Sequence, residues 1–172
     1  NGRGHALWAS PEIDFTQQHD YTGSDPIQEF DNVLLSIRRI APDKPLLQAE
    51  HGLSTGGAAS QSLETEIIHF HNGIWTAPFL GYAGSAMYWW WDSFVDPQGQ
   101  WVQYKSLAQF LEGENLAALQ PARASAKGLK ALILRSDTSA LIWMRSNSYN
   151  AAGVSEQHNA EILKALKEKR KL

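Results

Sequence analysis

The side chain best placed for chemistry in this sequence is the carboxylate of Glu50. It ends the mostly apolar segment 45–49 and is followed by His51 and by Gly52, a turn-forming residue. In parallel α/β sheets, ligands bind beyond the carboxyl ends of the strands, so a carboxylate in this position is open to a substrate. Such a group can act as a nucleophile. It could equally cap a helix or form a salt bridge, and the residue type alone leaves these roles open.

A second segment ends in polar side chains that could support this carboxylate. Residues 13–18 form a predicted strand that ends in His19, Asp20 and Tyr21. Side chains alternate along a strand, so His19 and Tyr21 share one face. If Gln17 and Gln48 face the same side, Glu50 points there too. Consecutive strands usually neighbour each other, so we expect His19 and Tyr21 to hydrogen-bond the carboxylate and hold it ionised and oriented. A structural histidine and a tyrosine at the edge of the core are the alternatives.

A third segment, 84–91, is uncharged and ends in three consecutive tryptophans followed by Asp92. A planar apolar ring with one donor on its edge suits the face of a sugar ring, and it suits a protein core equally well. Alternation places Trp89 and Trp91 together, so one of them is the predicted sugar platform. Asp92 is a candidate for substrate contact, although a loop or cap residue is the simpler interpretation.

The elements between these strand ends are predicted to be helices. Asp25 as N-cap, Pro26 at the first helical position and Glu29 three residues after Pro26 predict a helix that ends before Pro42. Further helices are expected over 63–78 and 104–112. This alternation of strands and helices predicts a parallel sheet with right-handed crossovers.

The pattern changes after residue 118. We expect a linker over 119–127 and a β hairpin of strands 129–135 and 140–145, which opens a truncated β domain over 128–152. An amphipathic helix is expected over 153–172, as an added or frayed tail rather than as part of the β domain.

The composition of the chain reduces the number of binding partners to consider. The net charge of −3 gives no field that would attract nucleic acid or an anionic membrane. No apolar run reaches the roughly 18 residues of a membrane span. The chain has no cysteine, which excludes disulfides and thiolate metal sites and leaves the compartment open. His69 and His71 do not share a helix face, so we predict no metal and no cofactor.

On the three strand ends together, the chain resembles the C-terminal half of a clan A glycoside hydrolase, close to the family 5 cellulase-like enzymes, over about residues 12–109. The resemblance implies a partial (β/α)8 TIM barrel of about the last three βα units over 1–118, followed by the start of a β-sandwich. It also implies that Glu50 is the nucleophile, that His19 and Tyr21 match a His-x-Tyr strand end, and that Trp89 or Trp91 floors the sugar site.

One part of the family pattern is not among these 172 residues. The family's acid/base is a Glu at the end of the fourth barrel strand, and a retaining mechanism needs two carboxylates roughly 5 Å apart. Asp20 or Asp92 would be the substitutes within this chain. A complete barrel also needs at least roughly 200 residues, and residue 1 is Asn, so a fragment is expected.

The predicted function is therefore that of a fragment of a retaining β-glycosidase that hydrolyses O-glycosidic bonds of an oligo- or polysaccharide. We expect the isolated chain to be inactive. Two alternatives remain open: a non-catalytic carbohydrate-binding module, and a half-barrel that self-associates through its exposed sheet edges.

Overall fold

Two sheets of different kinds organise the protein. The computed structural model describes residues 5–21, 23–57 and 62–153. In these residues, β1 (Thr16–Asp20) and β2 (Leu46–His51) form a parallel pair. Three further strands form an antiparallel sheet in chain order, namely β3 (Gln120–Ala126), β4 (Leu129–Arg135) and β5 (Ala140–Ser146). The expectation that β1 and β2 are neighbours is confirmed.

Four α-helices lie within the described residues: α1 (His5–Trp8), α2 (Pro26–Arg38), α3 (Leu63–Leu80) and α4 (Trp101–Leu111). The start of α2 is the predicted capping box. The Asp25 side chain accepts from the Ile27 amide, and Glu29 Oε1 accepts from the Asp25 amide at 3.0 Å. These two bonds satisfy backbone donors that a helix start would otherwise leave unpaired, which is why the local sequence was sufficient to locate it.

The longest helix, α3, runs between two clear end signals. Ser62 caps its first turn by accepting from the Thr65 amide, and Gly81 ends it in the left-handed conformation with φ of 88°. A residue without Cβ adopts that conformation without strain. None of the described helices is long and apolar enough to cross a membrane.

The expected partial (β/α)8 TIM barrel is wrong. The described residues show one parallel pair of strands and a separate antiparallel sheet, with no sign of three βα units. The segment 84–91 is not a strand: it meets β2 at a single bridge, between Tyr88 and His51. With no described strand on its other side, no ladder keeps this segment extended. It turns instead into a π-helical turn, Trp91–Val95, which buries Phe94 and Val95.

The C-terminal half also differs from the expectation. The range 119–127, expected to be a linker, contains β3, which pairs with β4 along its whole length. Pro121 is compatible with this position because β3 is an edge strand, where a missing amide donor costs little. The expected hairpin is present as β4 and β5. The tail helix expected over 153–172 lies outside the described residues, apart from Gly153.

The two sheets share one hydrophobic core. Leu132, Leu134 and Trp143 of the antiparallel sheet pack in the same buried cluster as Phe30 of α2 and Leu46 of β2. Charged side chains join the same parts: Asp25 binds both Lys130 and Arg145. Helix α3 packs on the antiparallel sheet and on α2, and α2 in turn packs on both β1 and β2.

Candidate functional site

The site is built around a β-bulge in β2. Gln18 lies opposite Gln48, but the next pair along the strands is His19 and Glu50, so Ala49 is an extra residue on β2. The side-chain amide of Gln48 spans the bulge and donates to the Glu50 carbonyl at 2.7 Å. Residues opposite each other in a parallel pair point to the same side. The bulge therefore brings His19 and Glu50 onto one face.

This register corrects one step of the sequence argument. Gln17 lies opposite Leu47 and so faces away from Gln48, and the expected common face of the two glutamines is wrong. The contact between His19 and Glu50 exists because the extra residue reverses the alternation of β2. A one-residue insertion of this kind shifts every later side chain of its strand to the other face.

Two donors meet on one oxygen of the carboxylate. The Tyr21 hydroxyl donates to Glu50 Oε2 at 2.5 Å, and His19 Nδ1 lies 3.0 Å from the same oxygen. No described residue hydrogen-bonds the second carboxylate oxygen of Glu50, Oε1. The side chain of Glu50 is 22% exposed and that of His19 is 43% exposed, so the group is reachable from solvent.

The hydroxyl of Tyr21 is the donor in this pair. Burial raises the pKa of Tyr21 far above its usual range, and the hydrogen bond to Glu50 raises it further. The phenol therefore keeps its proton at any physiological pH. A protonated phenol can only stabilise the charged form of a neighbouring carboxylate by donation, which is the arrangement that suits a nucleophile.

Trp90 is the tryptophan beside these residues, and the sequence analysis did not select it. A Cβ placed on Gly52 would lie 3.1 Å from Trp90 Nε1 and 3.2 Å from Tyr21 Cδ1. Trp90 Nε1 also donates to the Ser54 carbonyl at 3.1 Å. The indole and the phenol ring therefore both border the space beside Gly52 that a side chain would fill. No sequence signal distinguished Trp90 from its two neighbours.

The other candidates for sugar contact lie further out. Trp89 and Trp91 are 43% and 47% exposed, so neither belongs to the core. Asp92 is exposed in the first turn of the π-helical segment. The structure brings none of these three side chains into hydrogen-bond contact with Glu50 among the described residues.

A second carboxylate is not in contact with Glu50 in the described part of the chain. Asp20 pairs in register with His51 and raises the pKa of Glu29 and Tyr82, which places it on the side of α2. His69 and His71 belong to no metal-binding group, since the described residues hold no cluster of three potential ligands.

A buried polar cluster lies behind the site, and the sequence analysis missed it. His51, Glu66, His69 and Tyr88 are each at most 1% exposed. The Tyr88 hydroxyl donates to Glu66 Oε2, and the ring centroids of His51 and His69 are 5.7 Å apart. Burial lowers the pKa of His51 to about 3, with a contribution from His69, and lowers that of His69 to about 4. The i, i+3 spacing of Glu66 and His69 was the available signal.

A cleft lies elsewhere on the protein. It has a volume of about 680 Å³ and lies between α2, the end of α3 and β3, where Leu34, Leu119 and Pro121 contribute to its lining. None of the site residues lines it. Comparisons of the chain with protein-family models, with curated proteins and with solved structures found no match.

Proposed function

We propose that this chain carries the nucleophile side of a retaining β-glycosidase site, with Glu50 as the group that attacks the anomeric carbon. The observation that supports it is the convergence of Tyr21 and His19 on Glu50 Oε2. Two donors on one oxygen fix the carboxylate plane and leave Oε1 as the attacking atom. The proposal requires nothing of the overall fold beyond the paired ends of β1 and β2.

The reaction also needs a proton donor for the leaving oxygen. Retaining glycosidases place a second carboxyl group roughly 5 Å from the nucleophile. No such group contacts Glu50 among the described residues, so we propose that the acid/base comes from outside them. Glu50 would form the glycosyl ester as the acid protonates the departing oxygen, and water would then hydrolyse the ester with the same group acting as base.

The substrate class follows from the aromatic side chains. Trp90 and Tyr21 border the same space beside Gly52, and Trp89 and Trp91 present exposed rings nearby in sequence. Rings of this kind stack on the C–H faces of sugars. We propose an oligo- or polysaccharide as the substrate, with Trp90 nearest the carboxylate and Trp89 and Trp91 as further contacts.

The test uses the natural full-length protein and aryl β-glycosides. Glu50→Gln should lower turnover by about 10⁴-fold or more, since the residue forms the covalent intermediate. Glu12→Gln is the matched control, because Glu12 is exposed and precedes β1, whereas the site lies at the other end of that strand, and it should be fully active. A 2-deoxy-2-fluoro glycoside should label the peptide that contains Glu50. Unchanged turnover in Glu50→Gln would sink the proposal.

A non-catalytic carbohydrate-binding site is the second candidate. The exposed faces of Trp89 and Trp91, together with a single carboxylate, favour it. Glu50 would then only accept hydrogen bonds from sugar hydroxyls. This candidate predicts saccharide binding without turnover in the full-length protein, and near-normal binding by Glu50→Gln, which also accepts hydrogen bonds.

A further inference from the structure

The residue after the carboxylate connects β2 to the tryptophan segment. Neighbouring residues of a strand face opposite sides, so Glu50 points to the site and His51 points toward the helices. His51 is 1% exposed and packs edge-on against Tyr88, with ring centroids 4.9 Å apart. It also packs edge-on against Phe30, at 5.5 Å. His51 therefore has a fixed position directly behind Glu50.

Three hydrogen bonds join His51 to residues 87–89. Its backbone amide donates to the Met87 carbonyl at 2.8 Å, and its Nδ1 lies 3.0 Å from the same oxygen. Its carbonyl accepts from the Trp89 amide at 2.9 Å. We call this set of contacts among His51, Met87 and Trp89 the His51 clamp. Two further backbone bonds join the preceding residues to β2 in the described part of the chain: the Met87 amide donates to the Gln48 carbonyl, and the Ala83 amide donates to the Leu46 carbonyl.

The chemistry of the imidazole is determined by these contacts. A carbonyl oxygen only accepts hydrogen bonds, so Nδ1 carries the proton and Nε2 carries the lone pair. Gly73 on α3 leaves room for the ring, since a Cβ there would lie 2.0 Å from Nε2. The groups facing the ring from α3 are His69 and, through Tyr88, Glu66. The ring stays neutral because burial disfavours its charged form.

Trp90, whose indole borders the site, is the residue directly after the His51 clamp in the chain. The Trp89 amide is bound to His51, and the next residue is Trp90, whose Nε1 reaches the Ser54 carbonyl and whose ring lies beside Tyr21 across Gly52. Since residues 84–91 have no regular ladder, few bonds define where Trp90 stands. The Tyr104 hydroxyl holds the segment from α4, by donating to the Ala86 carbonyl and accepting from the Tyr88 amide. His51 is the residue of β2 whose side chain holds it, at the Met87 carbonyl.

We infer that His51 is a positioning residue that sets the place of Trp90 against Tyr21 and Glu50 by holding the Met87 carbonyl and the Trp89 amide. The expected effect on substrate binding rests on the proposed function. The expected effect on the position of Trp90 rests on the contacts of His51 alone. It predicts that the side chain acts through one donor at the Nδ1 position.

The experiment compares three variants of the full-length protein labelled with 5-fluorotryptophan. His51→Leu keeps the volume and removes the donor, and His51→Asn restores a donor near the Nδ1 position. His69→Leu is the matched control, because His69 is equally buried and packs against the same two rings, His51 and Tyr88, whereas the side-chain bond to Met87 comes from His51. Trp90→Phe identifies the ¹⁹F resonance of Trp90.

We expect His51→Leu to shift the Trp90 resonance and to raise amide exchange at Trp89, while His51→Asn stays near the native spectrum and His69→Leu leaves both unchanged. With 4-nitrophenyl β-glucoside, KM should rise about five- to tenfold in His51→Leu with a smaller change in kcat, as expected for the loss of one hydrogen bond in positioning. An unmoved Trp90 resonance in a folded His51→Leu protein would overturn the inference, as would equal shifts in His69→Leu.

A second measurement covers the case in which His51→Leu does not fold. The ¹⁵N spectrum of histidine in the native protein should show His51 as the Nδ1-protonated tautomer, and the Nε2-protonated form would overturn the clamp. If the native protein proves inactive on every glycoside, the proposed function fails, and the NMR results still decide the clamp.

Discussion

Tyr21 donates its hydroxyl proton to Oε2 of Glu50 at 2.5 Å, although the two residues are 29 positions apart. The parallel pairing of β1 and β2, with its bulge at Ala49, creates this contact. Hydrogen bonds to a charged group are stronger than those between neutral groups. Removing the Tyr21 hydroxyl oxygen is therefore the most direct test of the proposed chemistry.

Tyr21→Phe removes only that hydroxyl. Because the ring can keep its place beside Gly52, we expect little change in thermal stability. Turnover of aryl β-glycosides by the full-length protein should fall about 10- to 100-fold, since a hydrogen bond to a charged group contributes about 1.5–3 kcal/mol. Steady-state kinetics and a melting curve provide the two readouts. A loss of stability with unchanged kcat would instead assign Tyr21 a structural role.

Gly52→Ala tests the close approach of Trp90 and Tyr21. The new methyl would lie 3.1 Å from Trp90 Nε1 and 3.2 Å from Tyr21 Cδ1, so one ring must move by a few tenths of an ångström. We expect a loss of about 1–2 kcal/mol in the free energy of unfolding, as is typical of overpacking, and a changed tryptophan emission spectrum.

The control for this change is Gly84→Ala, where a Cβ would meet no atom within 4 Å. Its effect on unfolding should stay within about 0.5 kcal/mol. Equal effects of the two substitutions in urea denaturation would mean that the two rings do not border Gly52 closely.

Asp25 serves two parts of the fold at once, because it caps α2 and binds Arg145 and Lys130 of the antiparallel sheet. Asp25→Asn keeps a capping oxygen but leaves the Arg145 guanidinium, with a side chain that is 3% exposed, without its charge partner. We expect this variant to lose about 3 kcal/mol, near the cost of breaking a buried pair.

Asp25→Ala also removes the cap and should lose about 1 kcal/mol more. Urea denaturation of both variants measures the two contributions. If Asp25→Asn is as stable as the native protein, the contact between α2 and the antiparallel sheet does not depend on this charge.

The start of α2 and the ends of β1 and β2 could be predicted from sequence because their signals are local. The Asp25 side chain accepts from the Ile27 amide, Glu29 accepts from the Asp25 amide, and Pro26 has no amide hydrogen to satisfy, so nothing distant is needed to specify that start. The contact between Tyr21 and Glu50 was expected from consecutive strands, and it holds even though the assumed pairing of Gln17 with Gln48 does not.

The parts that failed depend on distant residues. Residues 84–91 have strand composition, but a strand needs a continuous ladder with a partner, and among the described residues this segment forms a single bridge, between Tyr88 and His51. Segment 119–127 has a proline and many alanines, and it becomes β3 because β4 pairs with every residue from Gln120 to Ala126. Neither outcome is visible in the segment itself. Because residues 84–91 do not form the expected strand, strand alternation did not identify Trp90 as the tryptophan beside the site.

Acid should weaken the fold through the buried histidines. His51 and His69 have pKa values of about 3 and about 4 in the folded protein, below the usual 6.5. Between each folded pKa and 6.5, the unfolded chain binds more protons than the folded protein does, so the free energy of unfolding falls as pH drops. Each histidine makes the free energy of unfolding fall by up to about 1.4 kcal/mol per pH unit in this range. Its stabilising contribution is complete above pH 6.5 and decreases toward its pKa in the folded protein.

His69→Leu isolates one of these contributions. Burial raises the pKa of Glu66 and of Glu29, the latter to about 7, and their titration opposes that of the histidines over part of this range. The difference between native and variant cancels these shared terms. Urea denaturation at pH 7 and pH 5 should therefore show a smaller acid loss in the variant, by about 1–2 kcal/mol. An identical pH dependence in the two proteins would mean that His69 is solvated, and that the cluster of His51, Glu66, His69 and Tyr88 is open to water.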